Sequence, residues 1–365
     1  MSTLIRQSTD QSLNFVRPVF EKFFDLQSLD DQTLCSKAGH FGGFFKGTRL
    51  FGGHTASQSV VAAKRFKNSR QPYRLDVNFF APGTLIHDLI YQSTSTDSDS
   101  DFLSINVYQN SILLANSTIR FYNDKSVLEQ PLFHQHAQFP SNILEPNAYP
   151  KVLDLIGKLH MDDWLKKFGR SFRYQGSTDE NHIFTLRPVD FLHFSGLSTE
   201  EKPVQLWARL SPALLDLQIE DPEVVLILLT DVVIGTPIFL LHDQQRIRVT
   251  SSATLTHKCI FHELDFNPRD YFFLELILHQ ADNTALISGR IFDQRRRLIL
   301  SFVQNHYYTL HKDDLPNNRS KLIVSRNFGS FGHRFICLSR SKRMNSVGRR
   351  IPTFPTITEA STPLW

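Results

Sequence analysis

Residues 221–235 read Asp221-Pro222-Glu223-Val224-Val225-Leu226-Ile227-Leu228-Leu229-Thr230-Asp231-Val232-Val233-Ile234-Gly235. An acidic residue followed by proline opens a helix, because proline fixes φ near the helical value and lacks an amide hydrogen that would go unpaired there anyway. The run that follows is apolar on every face, so the helix it predicts, carried on toward Phe239, is a buried one. One residue does not belong in such a helix. Asp231 is a carboxylate among core residues, and it must find hydrogen-bond partners or take up a proton.

Working outward, strand-like runs follow near 247–261, 271–279, 285–292 and 298–308, separated by turns at 267–270, 282–283 and 293–295. Two further polar residues stand in these runs where a core is expected: Thr254 in Ser252-Ala253-Thr254-Leu255, and Gln304 in Phe302-Val303-Gln304-Asn305. A strand at 207–210 precedes the helix. The first half repeats the order. Gly52-Gly53 lead into a helix of small and apolar residues through Lys64, with His54 or Thr55 as its expected cap. A strand at 75–83 ends in Pro82-Gly83, and two more runs, 102–108 and 112–122, flank the Gln109-Asn110-Ser111 turn. One central helix followed by an antiparallel sheet, present twice, predicts a duplicated α+β unit. The expected division is an N-terminal repeat at 1–125, a linker at 126–185 with a short helix near 150–168, a C-terminal repeat at 186–312 and a basic tail at 313–365.

Composition sets outer limits. With 365 residues, 41% of them hydrophobic, the chain can bury a large core. Its 31 phenylalanines suit half-buried strands or the lining of a pocket for a long apolar ligand. Three distant cysteines have no metal-ligand spacing and suggest a reducing compartment. The N-terminus has no signal-peptide run, and no stretch is expected to span a membrane, since Asp231, Gly235 and Pro237 interrupt the longest apolar tract. The net charge of +4 resides in the tail, where nine Lys and Arg stand between Leu315 and Arg350 without an acid. No nucleic-acid module accompanies them, so no nucleic-acid partner is expected. His134 and His136 lack a third ligand, and His257 and His262, five apart, face opposite sides of a strand. No metal site is expected.

The words along the chain resemble type II acyl-CoA thioesterases, the double-hotdog enzymes of bacteria and eukaryotic peroxisomes. In the first half these are Phe51-Gly52-Gly53, Gln58, Ala62-Ala63-Lys64 and Phe79-Phe80-Ala81-Pro82-Gly83. In the second they are Arg187-Pro188-Val189-Asp190-Phe191, Trp207-Ala208-Arg209, Ala253-Thr254-Leu255-Thr256-His257 and Ser301-Phe302-Val303-Gln304. The chain departs from the family pattern at Asp76, Ala81 and Thr256.

The resemblance implies a double hotdog in which a long central helix is wrapped by an antiparallel sheet in each repeat. It implies hydrolysis of fatty acyl-CoA without a cofactor. Asp231 would act as general base on a water that Thr254 and Gln304 orient, and a backbone amide near a helix start would hold the oxyanion. Taken singly, Asp231 could satisfy a backbone group, Thr254 serve as a β-former and Gln304 cap a sheet edge. An acyl-CoA-binding or regulatory protein on the same scaffold is the alternative. A hotdog hydratase would need a helix histidine, for which only His54 offers itself. The resemblance also implies a homo-oligomer and a peroxisomal location. The final Pro363-Leu364-Trp365 is not a Ser-Lys-Leu-like signal, which leaves the cytosol as the alternative. With Gln58 where an acid would stand, one active site per chain is expected, in the second repeat.

Overall fold

A computed structural model describes residues 16–42, 49–68, 70–94, 100–122, 138–156, 182–196, 198, 200, 202–245, 247–281 and 284–311. His134, His136, the linker helix beyond residue 156 and the 313–365 tail lie outside the described residues.

Among the described residues, twelve antiparallel strands form one sheet. The first half contributes β1 (Leu26–Asp30), β2 (Thr33–Ser36), β3 (Pro72–Phe79), β4 (Leu89–Ser93), β5 (Phe102–Gln109) and β6 (Ile112–Phe121). The second contributes β7 (Phe184–Pro188), β8 (Val204–Leu210), β9 (Val249–Phe261), β10 (Phe272–Ala281), β11 (Thr284–Phe292) and β12 (Leu298–Leu310). Their spatial order is β1-β2-β4-β5-β6-β3-β9-β12-β11-β10-β8-β7. Renumbering the second half from its own first strand gives the order of the first half, read from the opposite edge. The duplication expected from sequence is therefore present in topology, and the repeats join where β3 pairs with β9, from Arg74↔Ile260 to Asn78↔Thr256.

Six helices are described: α1 (Val16–Glu21), α2 (Gly52–Phe66), α3 (Val152–Ile156), α4 (Phe191–Phe194), α5 (Glu223–Val233) and α6 (Thr236–Gln244). The sheet wraps α2 and α5, which lie against each other at its centre. This is the double-hotdog fold. The expected single helix through Asp231 to Phe239 is broken: a turn at Ile234 and Gly235 separates α5 from α6. Pro237 explains the break, since it lacks an amide hydrogen and fits only the first turn of a new helix.

The membrane expectation needs a related correction. Glu223–His242 is 20 residues long and apolar enough to cross a bilayer. It is a core segment by burial, with 78% of its apolar 18-residue window enclosed by the fold.

The outer face of the second repeat is covered by part of the linker. Phe139 and Ile143 pack with Trp207, Phe273 and Phe292 in a satellite core, and the Trp207 indole donates to the Leu144 carbonyl at 3.1 Å. The last linker residues, from Phe184, belong to β7.

Candidate active site

Asp231 lies two residues from the end of α5, where that helix passes the start of α2. Its Oδ2 accepts the Gly53 amide at 2.6 Å, and its Oδ1 accepts the Thr254 hydroxyl at 3.0 Å. Neither His54 nor Thr55 caps α2 as the sequence suggested. Phe51 stands at the cap position without a side-chain bond, and the carboxylate that serves α2 comes from the other repeat. A helix start holds unpaired amides and the positive end of the helix dipole, so a carboxylate is favoured there. The approach is close enough to require glycine. A Cβ on Gly53 would meet Asp231 Cβ at 2.9 Å and Phe51 Cε1 at 2.7 Å, and one on Gly52 would meet Asp231 Oδ2 at 3.2 Å.

Thr254 reaches Asp231 because β9 carries a β-bulge. Gln304 pairs with His257, Asn305 with Thr256 and His306 with Thr254, which leaves Leu255 without a partner. Phe261, Cys259 and His257 are buried at alternate positions of β9. Unbroken alternation would turn Leu255 inward and Thr254 outward. The extra residue reverses the phase, so Thr254 bonds to Asp231 and Leu255 is exposed. No glycine or proline marks this bulge, and the alternation of the sequence gives no sign of it.

Gln304 and His306 follow one another on the inner face of β12, in phase with the buried Phe302 and Tyr308. Gln304 lies within the sheet, not at its edge. Its Oε1 is 2.9 Å from His306 Nε2, while its own Nε2 is fully buried with no hydrogen-bond partner. That amide is near enough to Asp231 to favour the charged carboxylate, yet it makes no hydrogen bond of ordinary geometry to it. The three residues singled out in the sequence thus converge on one point. His306 was missed, although two polar residues in the core phase of one strand were a visible signal. It lies 3.4 Å from Thr254 Oγ1 through Nε2 and 3.3 Å from Ser252 Oγ through Nδ1.

Burial dominates the electrostatics. It pushes the Asp231 carboxyl up to about 6, against the opposing pull of Thr254, Gly53 and Gln304. Burial also pushes His306 down to about 4 and, with a smaller contribution from His306, His257 down to about 3, so both imidazoles are neutral at physiological pH. His257 Nε2 lies 2.9 Å from the hydroxyl of Thr230, the residue before Asp231. Cys259, beside it, is buried, and burial pushes its thiol up, which disfavours the thiolate.

A cavity of about 260 Å³ opens onto the carboxylate. Phe51, Phe79, Phe194 and Phe239 give it aromatic walls, and Thr236 and Ser252 add hydroxyls. Apolar walls with few polar groups suit an apolar ligand whose reacting end meets the carboxylate. Ala81 also lines this cavity, whereas Asp76 is occupied by a two-pronged pair with Arg74 at 2.6 and 3.1 Å. Thr256 accepts from Asn305 at 3.3 Å.

On the central helix of the first repeat stands Gln58. Gln58 is fully buried and bonded, donating to the Phe23 carbonyl at 2.8 Å and accepting from the Tyr91 hydroxyl at 2.7 Å. His54 packs edge-on against the rings of His40, Phe23 and Phe41 and does not line the cavity.

No protein-family model and no curated protein matches the sequence. Solved structures do. The tesB protein of Mycobacterium avium subspecies paratuberculosis superposes with a TM-score of 0.57 over 80% of this chain and 98% of that one, at 18% identity. The acyl-CoA thioesterase II TesB2 of Mycobacterium marinum gives 0.58 over 80% and 99%, at 18% identity. A conserved hot-dog-fold protein of unknown function from Alicyclobacillus acidocaldarius gives 0.58 over 80% and 97%, at 15% identity. These likenesses establish the double hotdog over almost the whole of each relative.

Proposed function

We propose that this chain is a thioester hydrolase that splits fatty acyl-CoA into a free fatty acid and coenzyme A. The observation that carries the reading is the Asp231 carboxylate, buried with its protonation midpoint raised toward neutrality and facing a donor left open on Gln304. A general base is most effective when its pKa lies near the working pH, and burial brings Asp231 there.

In this reading a water molecule donates to Asp231 and accepts from the Gln304 amide. As the water oxygen bonds to the thioester carbon, its proton passes to the carboxylate. The Gly53 amide is already held by Asp231, so the neighbouring Gly52 amide at the start of α2 is assigned to the developing oxyanion. Collapse of the tetrahedral intermediate breaks the C–S bond. The proton on Asp231 then passes to the departing sulfur, which restores the base. Thr254 donates to the other carboxylate oxygen throughout and fixes its orientation. No acyl-enzyme forms.

The full-length protein, offered a panel of acyl-CoAs with a thiol reagent present, is expected to release coenzyme A. Asp231→Ala is expected to release at least about a hundredfold less. If the two proteins release it equally slowly, the chain is a binding protein on a hydrolase scaffold.

A further inference from the structure

We propose that His306 is a positioning residue that fixes which face of the Gln304 amide meets Asp231. The proposal rests on the hydrolase reading given above, and its argument begins with the donors and acceptors in contact. Burial keeps the His306 ring neutral, so it holds one ring proton, and Gln304 Oε1 can only accept. The 2.9 Å contact between that oxygen and Nε2 therefore places the proton on Nε2. Nδ1 is left as an acceptor and takes the Ser252 hydroxyl at 3.3 Å. Thr254 has its own hydrogen committed to Asp231 at 3.0 Å, so at 3.4 Å it offers Nε2–H only a lone pair.

Every donor is then aimed in one direction: Ser252 to His306, His306 to Gln304, and the Gln304 amide hydrogens toward the carboxylate. Reversing the Gln304 amide would set NH₂ against Nε2–H and turn Oε1 toward an anionic carboxylate. A shift of the ring proton to Nδ1 removes the first clash, because the Ser252 hydroxyl can also accept, but it leaves the second. The tautomer of His306 and the charge of Asp231 are thereby linked through one amide. The buried, unpaired Gln304 Nε2 is the free end of this chain, and leaving such a donor unmet is costly. A substrate water bridging it to Asp231 removes that cost.

Among the described residues, the titratable groups around Asp231 are His306 on β12 and His257 and Cys259 on β9, and the Arg49 guanidinium lines the same cavity without titrating in the working range. On α2 the Gly53 amide faces it, with His54 turned toward His40. None of these neighbours titrates near pH 6, so the acid limb of the rate profile reports Asp231 itself.

Two measurements test the proposal on the full chain. Nitrogen-15 NMR of histidine-labelled protein is expected to show the His306 proton on Nε2 at pH 7.5, and a proton on Nδ1 overturns the proposal. His306→Leu is expected to lower kcat about tenfold or more, with KM changed less than about twofold, and to move the acid limb to higher pH. His306→Gln, which can still donate to Gln304 Oε1, is expected to recover part of kcat. Unchanged kcat and acid limb in His306→Leu also overturn it. If the wild type hydrolyses no acyl-CoA, the functional reading fails, and the position of the ring proton alone decides the role of His306.

Discussion

Asp231 is an ionisable group placed where charge is costly, and two consequences can be measured. Its pKa rises from 3.8 to about 6 on folding, so between those values the folded chain binds more protons than the unfolded one. Stability from this group is therefore present below about pH 4 and is lost as pH rises through about 6. Asp231→Asn, which removes the charge and keeps the shape, is expected to raise the unfolding free energy by about 1–3 kcal/mol at pH 7.5, with the gain shrinking toward pH 4. Thermal melts of both proteins across that range check it. The same pKa sets activity in the opposite direction: kcat/KM for an acyl-CoA is expected to fall about tenfold per pH unit below about 6. A flat profile from pH 5 to 8 would remove Asp231 as the base. Its cost in stability at working pH and its place on the cavity are what the hydrolase reading attributes to catalysis, beside its bond to the start of α2. Asp231, Thr254 and Gln304 were all open to view in the sequence as polar residues among apolar ones. What could not be read was their mutual geometry, because it depends on a bulge with no sequence marker.

At the level of elements, the site is made by two contacts that cross the repeats or break a rule of alternation. The start of α2 meets the end of α5 through Gly53 and Asp231. Gly53→Ala would drive a Cβ to within 2.9 Å of Asp231 Cβ, against backbone-anchored atoms that have little room to yield. It is expected to destabilise the protein by about 1–3 kcal/mol and to lower kcat by displacing the carboxylate. Gly52→Ala presses tightly on the carboxylate oxygen at 3.2 Å and meets Phe79 at an ordinary 3.5 Å, so its effect on stability should be smaller than its effect on rate. Denaturant titration and steady-state kinetics on the two variants separate these effects. The central helices α2 and α5 and the longer strands were readable because their apolar runs exceed what turns can hold, whereas the short α1 and α4 were not. The break at Gly235 was foreshadowed by Pro237 and passed over. The cap of α2 was misassigned for a physical reason: a local reading looks for a cap within the same turn, and here it comes from 178 residues away. His306 was missed because a lone histidine in a strand has many roles. Its contacts with Gln304, Thr254 and Ser252 in the fold narrow them.

Across the whole molecule, the repeats are joined by the β3–β9 ladder and by polar contacts that include one at each end of the α2–α5 pair. Asp231 with Gly53 is one. The other is Lys64, whose ammonium is 2.7 Å from Glu223 and 2.5 Å from Asp221 with little solvent contact. Lys64→Met leaves two acids without a counter-charge and is expected to cost about 3–5 kcal/mol, while Lys64→Met with Glu223→Leu recovers part of that loss. Neither should move the acid limb set by Asp231, since the triad sits at the far end of the helices. The duplicated order of helix and strands was visible in the sequence because each repeat reuses the same succession of patterns. The single continuous sheet was not, because β1, β2 and β4 are short and take their stability from neighbours rather than from their own residues. The central claim, that one carboxylate shared between the repeats activates water against a thioester, is tested most directly by comparing coenzyme A release from one acyl-CoA at pH 8 by wild type and Asp231→Asn. The Asn variant is to be shown folded by its raised melting temperature. A loss of about two to four orders of magnitude in kcat, with KM nearly unchanged, is the expected result; equal rates from the two proteins would contradict it.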